Sequence, residues 1–188
     1  MRILLLLPFL ILGCRSPDPA LREPDFYLGC ATDETWRSFD DLERAGRVVT
    51  SDAEAPRFSV PAAGGTLPSS QPPTFRWEVS AFFPGKENGT ASCPDRCGLC
   101  GGMTPCVLCG QHEDPVSGDA FDLRFASGVV DRSRVLTTLQ AFQPSADLWS
   151  SLAGTEVSLT ATRIRVEDND VREGPFRAAS PLRFQVTP

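Results

Sequence analysis

Pro72-Pro73-Thr74-Phe75-Arg76-Trp77-Glu78-Val79 is the stretch whose reading decides the fold. The two prolines end whatever precedes them, because neither can donate a backbone hydrogen bond. After them Phe75, Trp77 and Val79 alternate with Arg76 and Glu78, the period of a strand with one face buried. A tryptophan on that face reads as a core anchor.

The same pattern recurs on both sides. Arg57-Phe58-Ser59-Val60 reads as an earlier strand, closed by Pro61 and Gly64-Gly65. Phe121, Leu123 and Phe125 alternate within 119–126, and Val129-Val130 and Val135 to Leu139 give two more candidates. Ser145 to Leu152 reads as a helical turn or two, with Leu148, Trp149 and Leu152 facing inward. Val157, Leu159 and Ala161 alternate, after which Ile164 and Val166 occupy the opposite phase, a slip that predicts a bulge near Thr162-Arg163. Residues 167–170 make a turn, and Leu182, Phe184 and Val186 form a final strand. Short strands divided by turns fit a chain of 188 residues that holds 17 prolines and 15 glycines. The expected class is all-β, a sandwich of six to eight strands.

The segment Pro72 to Trp77 resembles the second strand of fibronectin type III and related immunoglobulin-like domains, where a tryptophan fills the centre of the core. By that resemblance Asp122 to Phe125 is the next strand and Val157 to Thr162 a late one. It covers Pro56 to Pro188 and implies a fold, not a function. Those 133 residues, less about 35 between Phe83 and Asp119, leave near 98, close to the roughly 100 of such a sandwich. Trp36, Trp77 and Trp149 each lie on an apolar stripe and read as core anchors.

Ahead of the sandwich, Thr32-Asp33 can cap a helix running to Arg44, with Trp36, Phe39 and Leu42 on one stripe and Gly46 as its stop. A helix this short needs tertiary packing, so the stripe should lie on the sandwich. Residues 32–55 are thus a helix and connector. Residues 14–31 read as a tether, because 15–24 carries three prolines and little to bury.

Residues 1–13 combine Arg2 with an apolar run from Ile3 to Leu12, broken only by Pro8. Such a run is too short to span about 30 Å of hydrocarbon and fits a signal peptide. Ile11-Leu12-Gly13-Cys14 resembles the lipobox of bacterial lipoproteins, which implies cleavage before Cys14 and acylation of that cysteine. Several acyl chains suffice for stable anchoring. Arg15 after the cysteine, by resemblance to the enterobacterial sorting rule, points to the outer membrane of the cell envelope.

The most distinctive part is a cysteine-rich insertion, residues 84–118. Cys93, Cys97, Cys100, Cys106 and Cys109 fall within seventeen positions, followed by His112, the single histidine. Few large apolar residues accompany them, so covalent or metal staples must replace burial. Without Cys14 the chain keeps six cysteines, an even number, and an exported chain meets an oxidising compartment. The plain reading is a disulfide framework in which Cys30 joins the five, with connectivity open among fifteen pairings. The alternative is Zn²⁺ held by Cys97, Cys100, Cys106 and Cys109, two Cys-x-x-Cys pairs set closer than in zinc ribbons, with Cys30 and Cys93 paired. A thiol-redox role is weaker, since the pairs lie among Gly and Pro and do not open a helix.

Net charge is −6 and becomes −7 without Arg2, with a single lysine and no basic stripe, which excludes nucleic acid as a partner. His112 with Glu113 and Asp114 has no nucleophile motif beside it. Glu167, Asp168 and Asp170 offer carboxylates for Ca²⁺ but read as a solvated turn. Arg163, Arg165, Arg172 and Arg177 read as exposed strand and turn residues. The sequence therefore points to a non-enzymatic, lipid-anchored envelope lipoprotein, an interaction or structural module whose partner is another envelope or surface protein.

Overall fold

The computed structural model describes residues 23–83, 86–87, 115–128 and 130–188. Residues 1–13, read as a signal peptide, Cys14, the five clustered cysteines and His112 lie outside them.

Twelve strands and two helices occupy the described residues, arranged as two sheets. The smaller sheet has the order β3 (Arg57–Val60), β5 (Phe75–Glu78), β9 (Ala141–Phe142). The larger runs β1 (Phe26–Leu28), β8 (Val130–Thr137), β7 (Val116–Ser127), β10 (Glu156–Glu167), β11 (Asp170–Arg177), β2 (Val49–Thr50). β12 (Leu182–Thr187) pairs with the first third of β10 and, in parallel, with β4 (Thr66–Pro68). β6 (Lys86–Glu87) pairs with the start of β7.

Phe75 and Trp77 sit on β5 as the alternation requires, both buried, with Arg76 and Glu78 outward. They meet Phe121, Leu123 and Phe125 of β7, Val157, Leu159 and Ala161 of β10, and Leu182, Phe184 and Val186 of β12 in the core between the sheets. Trp149 of α2 (Ala146–Ser151) closes one end, its indole N–H donating to Pro68 O at 2.9 Å. Trp77 and Trp149 thus share one core. Trp36 does not.

The outer face of the large sheet is covered too. α1 (Asp33–Arg44) lies across it and packs Trp36 and Phe39 onto Val116, Ala120, Leu136, Ile164 and Val166, a second core. Thr32 caps the helix by accepting from Thr35 N–H at 3.2 Å. Its end closes through bonds from Gly46 N–H to Glu43 O and from Arg47 N–H to Leu42 O, with Gly46 left-handed at φ 68°.

This second core explains the change of phase in β10. β7 and β10 stay in register without a break from Ser158 to Val166. Ile164 and Val166 are apolar because they point at α1, not because the strand slips. Register shifts do occur, one to three residues beyond the expected place, in the pairing with β11 at Arg163 to Val166.

Tertiary pairing alters other expectations. Of Val129-Val130 and Val135 to Leu139, read as two strands, Val130 and Val135 to Thr137 belong to a single one, β8; Thr138 and Leu139 lie beyond it, Leu139 exposed, and Val129 lies outside the described residues. Part of the expected tether is in the sheet: Phe26–Leu28 pairs in parallel with Val135 to Thr137. The insertion ends earlier than expected, since β7 already starts at Val116. Strands of two or three residues, such as β1, β2 and β4, carry too few residues to show a period, and pairing alone creates them.

Candidate functional site

The clustered cysteines lie in the chain between β6 and β7, and the residues that hold the two arms of this segment form a built polar site in the described structure. Asp119 anchors the outgoing arm. Its carboxylate accepts Phe83 N–H at 2.8 Å, and its own N–H donates to Phe83 O at 2.7 Å. Arg163 completes the clamp: Nε donates to Asp119 Oδ1 at 3.1 Å, Nη2 to Ala81 O at 2.8 Å, and Nη1 lies 3.3 Å from Glu54 Oε2. Asp119 is 0% exposed and Arg163 2%. Burial raises the Asp119 carboxyl above its ordinary range, and the Phe83 N–H and Arg163 offset this only in part. Arg165 lays its guanidinium over the Phe83 ring, 3.2 Å from the centroid, and pairs with Glu173 at 3.0 Å.

The returning arm is held by the β10–β11 turn. Asp168 and Asn169 both adopt left-handed φ, 54° and 64°, the conformation of a tight hairpin. Asn169 Oδ1 then accepts Val116 N–H at 3.0 Å, its N–H donates to Val116 O at 2.9 Å, and Asp168 N–H donates to Ser117 Oγ at 3.0 Å. The acidic turn considered for Ca²⁺ is therefore a backbone clamp, and Glu167 pairs with Arg172 at 3.1 Å. Among the described residues no three His, Cys, Asp or Glu side chains converge as a metal site.

Arg163 corrects the expectation that the four arginines are simply exposed. Arg177 is also partly buried, donating to Glu43 at 2.8 Å, whereas Arg172 is solvent-facing. The alternation held the signal. Asp119 has the parity of Phe121, Leu123 and Phe125, and Arg163 that of Val157, Leu159 and Ala161, so both point inward. With Phe121 opposite Arg163 and Asp119 opposite Arg165, the two meet diagonally across the strand pair.

Of the sequence-predicted cysteines only Cys30 falls in the described residues. It is buried, between β1 and α1, and its N–H donates to Thr138 Oγ1 at 2.8 Å. Phe82 and Phe83, 37% and 38% exposed, form an apolar step at the foot of the insertion, with Phe82 stacked on Phe121.

Chemically the site is a mount. Its carboxylate and guanidinium are turned to each other and to backbone groups, which fixes the two arms against a sheet packed on both faces. Comparison with protein-family models, curated proteins and solved structures finds no match to this chain.

Proposed function

We propose that this protein is a non-catalytic envelope lipoprotein, anchored through Cys14, whose immunoglobulin-like sandwich presents the cysteine-rich insertion to another envelope or surface protein. The observation that carries the reading is the double clamp, Asp119–Arg163 on one arm and Asp168-Asn169 on the other. A segment that served only as a connector would need no buried ion pair at its root. Recognition segments, by contrast, work from rigid scaffolds.

The immunoglobulin-like assignment draws support from how strands divide between sheets. Such sandwiches place A, B and E in one sheet and C, F and G in the other. Here β3, β5 and β9 stand in the positions of A, B and E, with Trp77 on the second. β7, β10 and β12 stand in those of C, F and G. The insertion then lies between B and C, at an end where these folds carry recognition loops. In this reading the six cysteines other than Cys14 close a disulfide framework, and Cys30 ties the root of α1 to the insertion.

Intact-mass spectrometry of protein purified from the membrane fraction tests the reading in one measurement. The expected mass is that of a chain starting at Cys14 with acyl chains and six hydrogens fewer than the reduced protein. Bound zinc with reactive thiols would instead favour Cys97, Cys100, Cys106 and Cys109 as a metal site. A cytosolic chain with residues 1–13 intact overturns the proposal.

A further inference from the structure

We infer that α1 and β2 form a cover over the outer face of the large sheet that opens as a unit, with Glu43 as its latch. Glu43 projects from the last turn of α1 into arginines from three strands. It pairs with Arg124 of β7, with Arg134 of β8 at 3.0 Å and with Arg177 of β11 at 2.8 Å. Beneath it Asp122 of β7 accepts from Arg134 at 2.6 and 3.0 Å and from Arg124 at 3.0 Å. Arg177 also donates to Thr162 of β10 at 2.9 Å. The helix adds Asp40, which pairs with Arg44 at 2.8 Å. Arg134 lies 4.1 Å from the centroid of Trp36, so the cation that holds Glu43 also seats the main apolar anchor of α1.

Two features make the cover separable. The first is that its apolar contacts belong to the second core, while the core between the sheets is built by β3, β5, β7, β8, β9, β10, β12 and α2. The second is the shortness of its far attachment: β2 contributes two residues, paired in parallel with Phe176 and Arg177. β1 behaves differently. Phe26 and Leu28 pack against the inner core, and Asp25 exchanges two hydrogen bonds with the Arg134 backbone, so β1 stays with the sandwich when the cover lifts. Glu43 is the carboxylate that Arg124, Arg134 and Arg177 share, so its loss leaves this cluster one negative charge short, and the helix cannot close over it at the same cost. Local opening of this kind is how cooperative subunits of a fold reveal themselves.

Hydrogen-exchange mass spectrometry on the full chain as isolated, comparing wild type with Glu43→Gln, reads the latch directly. Amides of 33–44 and 49–50 are expected to exchange about a hundredfold faster in the variant, the scale set by loss of a buried ion pair, while those of β1, β5 and β12 keep their rates. Unchanged rates in α1, or equal acceleration in α1 and β5, overturn the inference. Should Glu43→Gln not fold, wild-type exchange at rising denaturant decides it. A lower-energy opening class confined to 33–50 supports the cover, and a single global class sinks it.

Discussion

At the scale of single residues, the buried charges are where this protein is most exposed to mutation. Arg163→Met removes the cation beside Asp119 and leaves a desolvated carboxylate at the root of the insertion. We expect a loss of about 3 kcal/mol in urea unfolding. The double variant Arg163→Met/Asp119→Leu should recover most of it, since two apolar groups strand no charge. Equal losses in single and double variants would mean that the pair matters only through packing. Gly29 offers a second test. It sits at φ +67°, and a Cβ there would lie 2.3 Å from Thr138 Oγ1, the atom that accepts Cys30 N–H. Gly29→Ala therefore combines left-handed strain with displacement of that hydroxyl, about 1–3 kcal/mol by thermal unfolding.

At the scale of elements, pH acts on the cover and on the clamp with opposite signs. Burial alone raises the Glu43 carboxyl, but Arg124, Arg177 and Arg134 outweigh it and hold it below the ordinary glutamate value of 4.5. A depressed folded-state carboxyl contributes stability above its unfolded value, and that contribution fades as pH falls below 4.5. Trp36 fluorescence should therefore report loosening of α1 on acidification, and Glu43→Gln should flatten that response. Asp119 runs the other way: its raised carboxyl contributes most when protonated, and stability is lost as pH rises through its folded-state titration. Helix capping gives a further check on α1. Thr32→Ala removes the acceptor for Thr35 N–H and should cost about 1 kcal/mol, read as faster exchange in the first turn of the helix.

At the scale of the molecule, the proposed role of the insertion as a recognition segment makes it dispensable for folding of the sandwich. Replacing residues 88–115 by a short glycine-serine turn joins β6 to β7, two strands that already pair side by side. The shortened protein is expected to keep its far-UV spectrum and its tryptophan emission while losing, in pull-downs from envelope extracts, the partner proposed for it. Collapse of the fold would assign the insertion a structural role instead. The two-faced large sheet explains why the sandwich can tolerate this. β7 and β10 are buried on both sides, by the smaller sheet and by α1, and the large sheet ends on the short strands β1 and β2, which leave little edge for pairing with another chain.

Local signals sufficed for the elements that have a period. Phe75-x-Trp77, Phe121-x-Leu123-x-Phe125 and Leu182-x-Phe184-x-Val186 announce strands because residues two apart share a face, and Thr32 and Gly46 bound α1 because caps act on neighbouring backbone groups. What the chain could not announce locally is which second surface each strand meets. Ile164 and Val166 look like a register slip until α1 is seen above them. Arg163 looks like a solvated charge until Asp119, 44 residues away on β7, meets it, and Glu43 of α1 finds Arg134 of β8 at a separation of 91 residues. Burial of an ion pair is a property of two distant segments at once, so only the tertiary structure decided it.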